Sequence, residues 1–127
     1  MSELGAIERE ILLRCSDDYT GLWEAIRAVQ RSDPKATSKE VQQVTLELIA
    51  GLLQKDLILA GCPRRDGSGF DAWNLLNAQI VKRIEQEWNE LGQEPTIGDV
   101  VWFVSTTEGD KVLAEGRERN VLKESDH

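Results

Sequence analysis

Few side chains in this sequence could carry chemistry, and their types and positions limit what that chemistry would be. His127 is the only imidazole, so neither a Ser-His-Asp or Cys-His set nor an imidazole-bound metal site can be drawn. Cys15 and Cys62 are the only thiols. They are too few for a disulfide framework and lack the paired spacing of a zinc site. Cys15 falls on the apolar face of a predicted helix and is expected to be a buried, inert thiol. Cys62 borders Arg64 and Arg65, which would lower the pKa of an exposed thiol. Asp17-Asp18 and Glu85-Glu87-Glu90 offer paired carboxylates for acid–base work, but they fall at a helix end and on an outer helix face, where solvated charge is the ordinary arrangement. Gly67-Ser68-Gly69 is too short for a phosphate cradle and does not lie between a strand and a helix. These residues assemble no catalytic, cofactor or metal site, and the expected function is non-enzymatic.

Two sets of residues remain for binding. Lys39, Gln42, Gln43, Thr45 and Glu47 share the outward face of a predicted helix, and Arg64 and Arg65 form the most basic spot on the chain. Gln and Arg suit contacts to bases and phosphates, so Lys39, Gln42, Gln43, Arg64 and Arg65 are the residues expected to meet DNA if DNA is the partner. Lys39 and Lys55 are nearly cancelled by Glu40, Glu47 and Asp56, whereas a DNA reader shows a distinctly basic stripe. The second set is the acidic remainder with four tryptophans. Asp17, Asp18 and Glu85 would supply negative charge, and Trp73, the tryptophan least constrained by pattern, would serve as the anchor. Trp23, Trp88 and Trp102 fit core positions. A formal charge of −8 repels phosphate backbones and anionic lipid and steers toward basic partners. Only segment 34–69 has more basic residues (Lys35, Lys39, Lys55, Arg64, Arg65) than acidic ones (Glu40, Glu47, Asp56, Asp66).

The elements that must position these residues follow from hydrophobic spacing. Leu4, Ile7, Ile11, Leu12 and Cys15 predict an amphipathic helix from about Glu3 to Arg14. Leu22, Trp23, Ile26 and Val29 predict a second, which must stop before Asp33-Pro34 because the residue preceding proline is pushed out of helical geometry. Thr37-Ser38-Lys39-Glu40 reads as a capping box. Behind it Val41, Val44, Leu48, Ile49, Leu52 and Leu53 predict a third helix to about Asp56. Leu57 to Ala60 is short and apolar, as in a buried strand. Cys62 to Gly69, with a proline and two glycines, reads as a mobile loop. From Phe70 to Leu76 the pattern fits either a strand or the lead into a helix. Ile80, Val81, Ile84, Trp88 and Leu91 then share a helical face that Gly92 terminates. Val100 to Val104 is the strongest strand signal, and antiparallel pairing with Leu57 to Ala60 is the way to satisfy its backbone. Thr106 is expected to cap a last helix through about Glu118.

The stretch Trp102-Phe103-Val104-Ser105-Thr106-Thr107-Glu108-Gly109-Asp110-Lys111-Val112-Leu113 is similar to the second wing strand and following helix of MarR- and PadR-like winged-helix proteins, with Thr107 where that family usually has proline. Leu48 to Leu59 resembles the end of the third helix and the first wing strand of the same fold. The whole set, with Asp18-Tyr19-Thr20-Gly21-Leu22-Trp23-Glu24, also looks like a group of small bacterial proteins that includes toxin-immunity proteins. The resemblance implies a helix-rich α+β domain, winged-helix-like, over residues 1–118. Its enlarged wing insertion, 61–99, contains an extra helix, and a polar tail covers 119–127. It implies a protein-binding module that neutralises a basic toxin or effector or, alternatively, a transcriptional regulator reading DNA through the third helix and wing.

At 127 residues one domain is expected, able to bury roughly two-thirds of its unfolded surface. Glu3, Glu8 and Glu10 interrupt the amino terminus, which therefore lacks the pattern of a signal peptide. No apolar run approaches the roughly 18 residues of a membrane span. The expectation is a cytoplasmic protein with no membrane contact and no cofactor.

Overall fold

The computed structural model describes residues 5–115. Leu4, the polar tail and His127 lie outside them, as does the end of the last helix. The described chain is α+β, with its helices packed on one antiparallel sheet. In order it runs α1 (Ala6–Asp17), β1 (Thr20–Gly21), α2 (Leu22–Ser32), α3 (Ser38–Gln54), β2 (Ile58–Pro63), β3 (Phe70–Ala72), α4 (Asn77–Leu91) and β4 (Trp102–Ser105). A further helix, α5, covers residues 107–115.

Local signals explain most boundaries. The Thr37 hydroxyl accepts the Glu40 amide at 3.2 Å while the Glu40 carboxylate accepts the Thr37 amide at 2.9 Å, so the capping box forms as expected and holds the Glu40 carboxyl below its ordinary pKa. α2 stops at Ser32, one residue before the Asp33-Pro34 pair. Gly92 closes α4 in the left-handed conformation, φ 67°, which costs glycine nothing. Thr106 caps α5, its Oγ1 accepting the Gly109 amide at 3.0 Å.

The sheet order is β1-β4-β2-β3, and every pairing is antiparallel. The expected pairing between the two apolar segments is present: Ile58 faces Ser105 and Ala60 faces Phe103. Two edge strands extend this pair, Thr20–Gly21 on β4 and Phe70–Ala72 on β2. Phe70 thus begins a strand, and the helix follows only at Asn77. β4 starts at Trp102 rather than Val100, since Val100 has φ 69°, a conformation that cannot continue an extended strand.

Cys62 to Gly69 is likewise not one loop. Cys62 and Pro63 belong to β2 and pair with Asp71 and Phe70. Only the tip is left to turn, and it is closed by the Arg64 amide on the Gly69 carbonyl at 2.8 Å and the Ser68 amide on Asp66 at 2.9 Å. Gly61 allows this hairpin to fold back: a Cβ there would lie 2.0 Å from the Asp71 carbonyl oxygen.

The core lies between the sheet and the helices. Phe103, Ile58 and Ala60 from the sheet meet Ile11, Leu12, Leu22, Ile26, Ile49 and Leu52, all of them buried. Trp102 does not join them. It and Val104 flank the buried Phe103 and are half-buried, while Leu59, between buried Ile58 and Ala60, is 44% exposed. Strand alternation therefore turns Leu59, Trp102 and Val104 to the sheet's other face.

Candidate functional site

The outward face of α3 was expected to carry the binding residues, and the structure rotates and partly covers that face. Thr45 is fully buried, its hydroxyl donating to the Val41 carbonyl at 2.7 Å. Val44, expected in the core, is 39% exposed. Thr45 shares the buried face of Val41, Ile49 and Leu52, while α4 lies antiparallel along α3 on the neighbouring flank. The Asn77 side chain donates to the Leu53 carbonyl at 3.2 Å at one end, and Gln42 donates to Asn89 at 2.9 Å at the other. Ile80, Ile84 and Trp88, four residues apart, are the buried face of α4.

Between the two helices runs a groove of about 400 Å3. Its floor is Leu46, Ala50 and Val81, and its rims hold Lys39, Gln42, Gln43, Glu47 and Glu85. Three of the residues expected to meet DNA and one expected to meet a protein thus share one site. Leu46 and Ala50 were not singled out in the sequence, and Val81 was read there only as part of the apolar face of its own helix. Their part in the groove depends on the helix-helix packing, for which one helix's periodicity carries no signal. Gln43 reaches Glu47 along the rim at 3.4 Å. Two carboxylates against one ammonium make the rim acidic, and the floor is apolar.

The other candidate residues stand apart from this groove. Arg64 and Arg65 are at the β2–β3 hairpin tip, exposed, and Arg64 is paired with Asp71 at 2.8 Å. Asp17 ends α1 and Asp18 caps it, and both are exposed. Trp73 is half-buried against the core and covered by the Arg83 guanidinium, 3.8 Å from its ring centroid, so its outer face is already occupied by a cation. Trp88 is buried at 8% exposure. Trp23, expected in the core, is half-buried and lines a cleft at the surface.

Cys15 is buried, and burial pushes its thiol up to about 12. Cys62 is exposed. Among the described residues no group of three His, Cys, Asp or Glu side chains is arranged to hold a metal ion, and no helix is long and apolar enough to cross a membrane. Comparison of the chain with family models, with curated proteins and with solved structures returned no match.

Proposed function

We propose that this protein is a non-enzymatic protein-binding module of the winged-helix type, engaging a basic partner through the α3–α4 groove, and that its sharpest use is neutralising a basic toxin or effector. The packing of α4 on α3 carries this reading. A DNA-reading third helix must enter a major groove about 12 Å wide with its polar side chains free. Here Gln42 is held by Asn89, and a second helix occupies the flank of α3. An apolar floor with an acidic rim suits a partner that brings apolar side chains flanked by Lys or Arg. The element order, with β2 and β4 antiparallel after α3 and β1 added on β4, supports the winged-helix reading, with β3 and α4 as the insertion.

The test is affinity capture from the native lysate at low and moderate salt, with and without nuclease, using wild type and Glu47→Lys/Glu85→Lys. The expected result is a stoichiometric basic protein, resistant to nuclease and lost from the double variant. Specific DNA fragments that disappear with nuclease, and with Arg64→Ala/Arg65→Ala, would put transcriptional regulation in its place.

A further inference from the structure

A second cleft, separate from the groove, opens between α1 and α2. It measures about 600 Å3 and is lined by Arg14 of α1, by Trp23, Glu24, Arg27 and Arg31 on one side of α2, and by Pro34. That volume lies in the range of small-molecule sites, roughly 300–1,000 Å3. Three arginines line it in a chain whose formal charge is −8.

The carboxylates nearby do not balance them fully. Glu10 pairs with Arg31. Arg14 reaches Glu10 and Glu24 only at 3.5 Å each, longer than the roughly 2.7–2.9 Å of a charge-assisted hydrogen bond. Glu24 is also committed to the start of α2, where its other oxygen accepts the Gly21 amide at 3.1 Å. Arg27 makes no ion pair among the described residues. Its guanidinium lies 5.1 Å from the centroid of the Trp23 ring. Two donors of the lining residues, Arg14 Nε, whose nearest carboxylate is Glu10 at 3.5 Å, and Trp23 Nε1, are covered and make no hydrogen bond among the described residues. Such atoms are uncommon in folded proteins, and an oxyanion toward which Arg14 turned would supply the missing acceptor.

The cleft therefore combines one guanidinium without an ion pair among the described residues, a second that is loosely held, and a wall of indole and proline. Arginines on two different helices offer more N–H donors, from more directions, than the two oxygens of a carboxylate can use. A phosphate ester presents three acceptor oxygens and close to two charges. We propose that the α1–α2 cleft binds a small phosphomonoester, with Arg14 and Arg27 on the phosphate and the organic body against Trp23 and Pro34. This site is independent of the α3–α4 groove and of the partner that groove takes.

The test uses the full chain and phenyl phosphate as the probe, titrated calorimetrically at constant ionic strength, with benzoate and chloride run in parallel. Saturable 1:1 binding of phenyl phosphate is expected, weakened about tenfold by Arg27→Gln and further by adding Arg14→Gln. Arg27 is exposed and makes no ion pair among the described residues, so its variant, which loses only the contact with the Trp23 ring, should melt close to wild type, which a thermal scan checks. The accompanying tryptophan fluorescence change should vanish in Trp23→Phe and persist in Trp73→Phe. Absence of saturable heat, equal affinity in Arg27→Gln, or benzoate bound as tightly as phenyl phosphate would each overturn the assignment.

Discussion

The two thiols show how far a residue's surroundings set its chemistry. Cys15 is 1% exposed on the apolar face of α1, and loss of solvation raises its pKa to about 12, so the reactive thiolate is essentially absent at neutral pH. Cys62 sits in β2 with its side chain exposed. Native protein treated with iodoacetamide should therefore take up one label, at Cys62, and the second only after unfolding. Peptide mass spectrometry reads this directly, and rapid labelling of Cys15 in the native state would show that α1 opens far more readily than its packing implies. Periodicity alone was enough to place Cys15. Trp23 and Trp102 were misplaced because a large aromatic on an amphipathic pattern reads as core, whereas Trp23 lies beside the buried Leu22, Ile26 and Val29 face of α2 and strand alternation turns Trp102 away, which leaves both half-buried.

Among the elements, α3 has the best-specified start. Thr37 accepts the Glu40 amide and its own amide is held by Glu40 in return. Thr37→Ala should cost about 1 kcal/mol of stability, in the range of other cap deletions, while Ser38→Ala, just inside the helix, should cost less. Urea denaturation of the two variants gives the comparison. Equal losses would mean that the cap contributes little beyond helix propensity. The β2–β3 hairpin was harder to read from sequence. Its proline and glycines signal a turn, but only the pairing of Cys62 with Asp71 and Pro63 with Phe70 shows that the strands continue almost to the tip.

At the scale of the whole molecule, Asp110 joins three elements. From α5 it accepts hydrogen bonds from Ser105 at the end of β4, at 2.7 Å, and from Ser16 near the end of α1, at 2.9 Å. These bonds hold its carboxyl below the ordinary aspartate range, Ser105 contributing most. A carboxyl depressed in the folded state stabilises the protein above its unfolded pKa, and that contribution is lost as pH falls through the folded value. The stability difference between wild type and Asp110→Asn should therefore be constant near neutrality and shrink below about pH 4. Thermal melts across that interval measure it, and a difference independent of pH would mean that the tie does not depend on charge.

The caps, the breaks at Asp33-Pro34 and Gly92, the pairing of β2 with β4 and the apolar faces of α1 and α4 were determined locally. They depend on hydrogen bonds and periodicities within a few residues, or on a strand that has only one plausible apolar mate. The rotation of α3, the short strands β1 and β3 and the α3–α4 groove were decided only by tertiary packing. So was the gathering of Arg14, Arg27 and Arg31 into one cleft, in a segment where acidic residues outnumber basic ones. Which flank of α3 is covered depends on α4, more than 20 residues away along the chain. The sign of a surface patch depends on which helices lie side by side, and net charge averages that information away.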